Sequence, residues 1–77
     1  MTWSRKLIPP LVLKDGRVLE TLSDARDMIL GLPEGRQREP YWRHAADLLR
    51  YAAEIDKEAI DDVRAQLNRA LYRDGFV

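Results

Sequence analysis

Apolar side chains between Pro40 and Ile55 recur with the period of an α-helix and fill about half of its circumference. The other half carries charges of alternating sign, spaced three or four residues apart from Arg43 to Glu54, so neighbouring charges can pair. This division predicts a helix at the centre of a small core, in contact with more than one neighbouring element. Its apolar positions are Tyr41, Trp42, Ala45, Ala46, Leu48, Leu49, Ala52, Ala53 and Ile55.

Two short apolar segments near the N-terminus flank Asp15–Gly16, and this arrangement predicts a β-hairpin. The dipeptide can supply the two positive φ angles that a two-residue type I′ turn requires. In that register Leu13 lies opposite Val18, and Val12 lies opposite Leu19. A longer loop is the alternative.

The segment before the hairpin is predicted to be separate from the folded domain. Pro9 and Pro10 each fix a φ angle and lack an N–H group, so they disfavour both a helix and a central strand. We therefore expect residues 1–10 to form a flexible N-terminal arm and residues 11–77 to form a single α+β domain.

A short helix is predicted after the hairpin. Ser23 offers a side-chain oxygen as the N-cap of a helix that continues to about Leu30. Glycine and proline residues then end this helix and open a polar loop over residues 34–39, and Pro40 suits the first turn of the middle helix. The apolar positions of the short helix are Leu22, Ala25, Met28, Ile29 and Leu32.

The last predicted helix runs from about Lys57 to Arg73, with acidic residues at its start and basic residues at its end, as the helix dipole favours. Gly75 suits a left-handed residue just past the helix end, and the chain would then return Phe76 over Leu71 in a Schellman motif. The apolar positions are Ala59, Ile60, Val63, Leu67, Ala70 and Leu71. The elements together predict an α+β fold, in which an N-terminal β-hairpin packs with one short helix and two longer antiparallel helices.

The chain resembles, from Val12 to Val77, a family of small alphaproteobacterial proteins named domain of unknown function 982. The likeness lies in the hairpin end Val18–Thr21, the helix start Ser23–Ala25, the break Leu32–Pro33, the alanine-rich middle helix and the closing helix Arg64–Phe76. The chain departs from the family pattern at position 32, where members often carry tryptophan, and in the larger side chains of its last helix. The resemblance implies a small α+β fold and brings no activity or functional residue with it.

Composition and charge narrow the classes of function. The 77 residues, 45% hydrophobic and 34% charged, suit one small folded domain. Thirteen basic and thirteen acidic residues cancel, which removes the overall attraction to nucleic acid or to an anionic membrane. Cysteine is absent, and residues 1–8 carry charges where a signal peptide has an apolar stretch. We therefore expect a cytoplasmic protein without a membrane segment.

Few residues suit catalysis. His44 is the single histidine and lies at the border of the apolar side of the middle helix, where a structural hydrogen bond explains it more simply than a catalytic base. Asp61 and Asp62 are adjacent on a helix and point about 100° apart. The sequence predicts a non-enzymatic protein with no catalytic residue, no metal and no cofactor. A small hydrolase or ligand carrier is the least favoured alternative, and it requires a deep pocket that joins His44 to carboxylates.

One cluster of basic residues suggests weak nucleic-acid binding as the alternative function. Arg36, Arg38 and Arg43 lie close to Tyr41 and Trp42, and basic groups beside aromatic rings suit a nucleic-acid backbone and its bases. Acidic residues interrupt this segment, and Trp42 belongs to the core-facing side of its helix. Nucleic acid is therefore a disfavoured partner.

Protein–protein interaction is the favoured function. Tyr72 projects outward from the last helix on the same side as Asn68, while Tyr51 and His44 lie at the border of the apolar side of the middle helix. We expect these four residues to belong to a surface that binds an unidentified protein, in an interaction or regulatory module. The free edge of the hairpin is a candidate for homodimer formation. The alternative is that residues 3–8 cover this edge.

Overall fold

The computed structural model describes residues 3–77, apart from the side chain of Lys57. The chain begins with two antiparallel strands, β1 (Lys6–Val12) and β2 (Val18–Thr21). The helices that follow are α1 (Leu22–Leu30), α2 (Glu34–Gln37), α3 (Pro40–Glu54) and α4 (Ile60–Arg73), and a 3₁₀ turn, Lys57–Ala59, precedes α4. The predicted α+β fold is confirmed, and the loop predicted for residues 34–39 contains the one-turn helix α2.

The hairpin turn has three loop residues instead of the two that were predicted. The N–H of Leu13 donates to the carbonyl of Arg17 at 2.8 Å, and the N–H of Gly16 donates to the carbonyl of Leu13 at 3.0 Å. Gly16 has a φ of 94°, but Asp15 has no positive φ, so the type I′ turn is wrong. Asp15 instead accepts hydrogen bonds from the N–H and the Nε of Arg17 at 2.9 and 2.7 Å, which stabilise the longer turn.

The longer turn shifts the strand register by one residue. Val12 lies opposite Val18, and Leu11 lies opposite Leu19, so the predicted pairing of Leu13 with Val18 is wrong. The three leucines are buried, whereas both valines lie on the exposed face of the hairpin. The register therefore sends the leucines into the core and the valines to the outside.

The segment predicted to be an arm belongs to the folded domain from Trp3 onward. Strand β1 begins at Lys6, and Leu7 is only 1% exposed. The carbonyls of Trp3 and Arg5 accept hydrogen bonds of 2.9 and 3.0 Å from backbone N–H groups in the first turn of α1. The domain boundary predicted after residue 10 is therefore wrong, while residues 1 and 2 lie outside the described residues.

The two prolines fit inside β1 because the hairpin has only edge strands. A proline is tolerated in an edge strand, where its missing N–H is not needed for pairing. Pro9 also takes part in the packing of the domain, since its carbonyl accepts a hydrogen bond of 2.6 Å from the Nε of Arg64 on α4.

Helix α1 is capped by a residue two positions earlier than predicted. The Oγ1 of Thr21 accepts from the N–H of Asp24 at 3.1 Å, and the carboxylate of Asp24 accepts from the N–H groups of Thr21 and Glu20 at 3.2 and 2.9 Å. This reciprocal arrangement is a capping box. Ser23 lies inside the first turn, where its Oγ accepts from Arg26 at 3.1 Å, so its assignment as the N-cap is wrong.

Helix α3 lies at the centre of the core, as predicted, and contacts both α1 and α4. Ile55 is the exception among its predicted core positions, because α3 ends at Glu54 and the side chain of Ile55 is 75% exposed. The fully buried residues of α3 are Trp42, Ala45, Leu49, Ala52 and Ala53.

The end of α4 folds back as predicted. Gly75 has a φ of 78°, its N–H donates to the carbonyl of Tyr72 at 3.2 Å, and the N–H of Phe76 donates to the carbonyl of Leu71 at 2.8 Å. This is a Schellman motif. The carbonyl of Phe76 then accepts a hydrogen bond of 2.7 Å from the N–H of Lys14, which joins the C-terminal segment to the hairpin turn. Within residues 3–77, no helix has the length and the apolar character that crossing a membrane requires.

Candidate interaction surface

The carboxylate of Asp74, at the end of α4, is buried, with a side chain only 4% exposed. It accepts hydrogen bonds from the indole Nε1 of Trp42 at 2.6 Å, from the hydroxyl of Tyr41 at 2.8 Å and from the Nη1 of Arg36 at 3.0 Å. These hydrogen bonds join the end of α4 to the start of α3. Because donors of the same chain satisfy the carboxylate oxygens, the cluster stabilises the fold.

The cluster also sets the protonation of its members. Burial raises the pKa of Asp74, but the hydrogen bonds from Trp42 and Tyr41 and the positive charge of Arg36 outweigh this effect, so the net pKa lies below its ordinary value. The hydrogen bond to Asp74 raises the pKa of the Tyr41 phenol. Asp74 is therefore a carboxylate at neutral pH and an acceptor for all three donors.

The three arginines that suggested nucleic-acid binding do not form one positive surface. Arg36 is paired with Asp74, and Arg38 lies 3.7 Å from the carboxylate of Glu34. Arg43 is exposed and lines a shallow hollow together with Arg38 and Glu34. Trp42, the ring predicted to stand beside them, is completely buried. The buried Trp42 ring is therefore not available for base stacking, and Glu34 reduces the positive charge of the hollow that Arg38 and Arg43 line.

An open groove runs between α3 and α4 and contains His44. Its volume is about 300 Å³, and its lining residues are His44, Leu48, Asp62, Ala65, Gln66 and Arg69. His44 is exposed, and Gln66 donates from its Nε2 to the carbonyl of Tyr41 at 3.2 Å. The lining brings a histidine near a carboxylate, but it contributes no hydroxyl or thiol nucleophile and does not enclose a substrate.

Large apolar side chains are exposed on both of the helices that form this groove. On α4, Tyr72 is 75% exposed, as predicted, and Asn68 is exposed one turn before it. At the end of α3, Ile55 and Tyr51 are exposed beside each other. We refer to this surface as the α3–α4 face and define it by six residues: Tyr51 and Ile55 from α3 and its end, and Asp62, Ala65, Arg69 and Tyr72 from α4.

Two charged residues of this face have no partner within the described part of the chain. The side chains of Asp62 and Arg69 make no ion pair or hydrogen bond with any other residue of the described part of the chain, and neither does that of Asp61. Some other surface charges have ionic partners, whereas others, such as Arg43 and Asp47, have none among the described residues. The ion pairs are Arg17–Asp15, Arg26–Asp27, Arg36–Asp74, Arg38–Glu34 and Arg50–Glu54. The α3–α4 face therefore combines exposed apolar groups with charges of both signs that are free to pair.

A second group of exposed apolar residues lies on the outer face of the hairpin. It consists of Ile8, Val12 and Val18, and the two valines lie directly opposite each other. β-branched residues are preferred in strands even at exposed positions, so these three need no partner to explain them. Leu30, at the end of α1, is exposed by itself.

Sequence reasoning found three of the four aromatic and polar candidates on or beside this face and missed its charges. His44 lines the groove, and Tyr51 and Tyr72 are exposed on the two helices that form it, while Asn68 is displaced around α4. The signal for the missed charges was a spacing of seven residues between Asp62 and Arg69, which places them two turns apart on one side of the helix. The Asp74 cluster had no such signal, because its donors lie 32 to 38 residues away along the chain.

Comparisons with known proteins add no further constraint. No family model matches the chain, and no curated protein and no solved structure matches it. The resemblance to the domain of unknown function 982 family stays a prediction.

Proposed function

We propose that this protein is a non-enzymatic protein–protein interaction module and that the α3–α4 face is its binding surface. The observation that carries the proposal is the exposure of Tyr72 on α4 and of Ile55 at the end of α3, each 75% accessible. The groove between these two helices contains Asp62 and Arg69, which are unpaired among the described residues. Aromatic and aliphatic groups surrounded by polar residues are the usual composition of a protein interface.

The hairpin edge is a weaker candidate for this role. A strand that pairs with another chain needs free backbone donors and acceptors along its edge. Pro9 and Pro10 have no N–H to donate, the carbonyl of Pro9 accepts from Arg64, and the N–H of Glu20 on β2 donates to Asp24. We therefore propose that the partner binds the α3–α4 face and not the hairpin edge, which the sequence suggested for a homodimer.

Site-specific photocrosslinking tests the proposal. A photoreactive amino acid is placed at position 72 in the full chain, and a matched variant carries it at position 27, where Asp27 is exposed on α1 on another side of the molecule. We expect position 72 to give a discrete protein adduct in a lysate of the source organism, and position 27 to give none. The adduct should disappear when Ile55→Asp is added, because a charge buried in an interface has to be desolvated.

The proposal is wrong if positions 72 and 27 give the same adducts, or if Ile55→Asp leaves the adduct at position 72 unchanged. Far-UV circular dichroism of the Ile55→Asp variant provides the folding control, and little change is expected because Ile55 is outside the core.

A further inference from the structure

We propose that the partner of the α3–α4 face is a second copy of this chain. In this dimer the two α4 helices pack antiparallel across a two-fold axis that passes close to Ala65. The inference rests on the proposed function and adds the identity and geometry of the partner.

The arrangement of charge on α4 is the first argument. Asp62 and Arg69 are exposed, unpaired within the described chain and seven residues apart, which is about 10.5 Å along the helix axis. They cannot pair through the usual spacing of four, because the residue four after Asp62 is Gln66 and the residue four before Arg69 is Ala65. A two-fold axis between them exchanges the two ends of the helix, so Asp62 of each copy meets Arg69 of the other.

The exposed apolar groups give the second argument. Ile55 lies just before the turn that leads into α4, whereas Tyr72 lies in the last turn of α4, about 20 Å of helix away. The same two-fold axis brings Ile55 of one copy towards Tyr72 of the other. Both side chains, which are 75% exposed in the single chain, would then be covered, and this happens at both ends of the interface.

The middle of the face permits the close approach that this geometry needs. Ala65 is exposed and lies between Asp62 and Arg69, so its small side chain stands where the two helices would cross. The total accessible surface of the chain is 5058 Å². A specific interface covers at least about 500 Å² of each partner, which is roughly a tenth of this surface and suits a face formed by two helices.

The mixed charge of the face also favours this partner over others. A nucleic acid or an anionic membrane presents one sign of charge, which would attract Arg69 and repel Asp61 and Asp62. The helix dipole explains why acidic residues stand first and basic residues last on α4, but it does not explain two uncovered apolar side chains at the two ends of the same face.

Charge reversal with mixing tests the geometry in the full-length chain. We expect the native sequence to sediment as a dimer, and Asp62→Arg and Arg69→Asp to weaken self-association at least about tenfold each, since each variant places like charges opposite each other. An equimolar mixture of the two variants should form a heterodimer of near-native stability, because every opposed pair is again of opposite sign. The double variant should also recover the homodimer. The control reversals Asp27→Arg and Arg43→Asp lie away from the face and should leave the dimer unchanged.

A native chain that sediments as a single copy at concentrations on the order of 1 mM overturns the inference, and so does a mixture that associates no better than its two components. If the reversal variants lose helical circular dichroism, Asp62→Asn and Arg69→Gln replace them. Each neutral variant should then weaken the dimer, and their mixture should recover part of the association, because one Asp62–Arg69 pair remains in the heterodimer. A monomeric native chain that still forms the specific adduct from position 72 to a different protein overturns only the dimer. If the native chain is monomeric and position 72 also gives no specific adduct, the proposed function is wrong as well.

Discussion

At the scale of single residues, Asp74 has the largest effect on how the chain closes. A carboxylate without water is costly, and it is stable here because three donors from residues 36–42 converge on it. The three donors in turn depend on Asp74 as their acceptor. Substitution of this one residue therefore leaves several buried or partly buried groups without a partner.

Asp74→Ala should lower the free energy of unfolding by about 3 kcal/mol, because it removes the acceptor of the Trp42 indole and of two further donors. Asp74→Asn should cost less, about 1 to 2 kcal/mol, since the amide oxygen can still accept one hydrogen bond. Urea unfolding followed by tryptophan fluorescence measures both values. Asp61→Ala, at an exposed carboxylate with no side-chain partner among the described residues, is the matched control and should stay within about 0.5 kcal/mol of the native chain.

The lowered pKa of Asp74 also predicts how stability depends on pH. Since the folded state holds the carboxylate more strongly than the unfolded state, the stabilisation is fully present above the unfolded pKa of about 4 and is lost as pH falls through the lower folded pKa. The free energy of unfolding should therefore fall below about pH 5, and it should fall less in Asp74→Asn. Parallel unfolding curves of the two proteins between pH 7 and pH 2 measure the difference, and equal acid dependence would contradict the assignment.

Residues whose role is local could be predicted from the sequence, whereas Asp74 could not. The positive φ of Gly75 and the return of Phe76 follow from a pattern of six consecutive residues, Leu71 to Phe76, so the sequence predicted them. The partners of Asp74 come from a part of the chain more than 30 residues earlier, and an aspartate next to a glycine at a helix end looks like an ordinary surface residue.

At the scale of elements, the start of α1 distinguishes two neighbouring capping residues. Thr21 and Ser23 both have a hydroxyl, and both precede an acidic residue at a favourable position. Only Thr21 has the extended backbone of an N-cap, with φ at −130° and ψ at 167°. The boundary of the helix therefore depends on where strand β2 ends, which is a property of the hairpin and not of the helix alone.

Thr21→Ala should lower the free energy of unfolding by about 1 kcal/mol, because it removes the acceptor for the N–H of Asp24 and half of the capping box. Ser23→Ala should change it by less than about 0.5 kcal/mol, since this hydroxyl accepts only from the partly exposed Arg26. Thermal or urea unfolding of the two variants measures the contrast. If Ser23→Ala lowers the free energy of unfolding more than Thr21→Ala does, Ser23 is the N-cap, as the sequence suggested.

The sequence predicted the long helices better than the hairpin. The apolar period of α3 extends over four turns, and its start at Pro40 is as expected, so averaging over many positions compensates for single errors such as Ile55. The turn depends on only two residues, Asp15 and Gly16, and the same pair fits both a two-residue and a three-residue loop. One position of difference in the turn moved every predicted strand pair.

At the scale of the whole molecule, the N-terminal segment is part of the core and does not extend from it. Strand β1 pairs with β2 and also contacts α4, so it is held by both the hairpin and the last helix. The general rule against proline in a strand suggested an arm at this place, but the rule applies to central strands, and the sequence could not show that β1 has a free edge.

Leu7→Ala should lower the free energy of unfolding by about 3 kcal/mol, because it opens a cavity in a core that a flexible arm would not reach. Ile8→Ala, at the neighbouring and largely exposed position, is the control and should cost less than about 1 kcal/mol. Urea unfolding compares the two. If both variants lose equally little free energy of unfolding, residues 1–10 form a flexible arm after all.

The hydrogen bond between Lys14 and Phe76 has a consequence for biosynthesis. The hairpin leaves the ribosome first, but its leucines remain without their cover from α4, and the turn without its last hydrogen bond, until residue 76 has also emerged. At about 5 to 20 residues per second, this interval lasts on the order of several seconds. During that time the nascent chain exposes an apolar β-hairpin with unpaired strand edges. Cells that produce this protein should therefore rely on ribosome-associated chaperones to cover it.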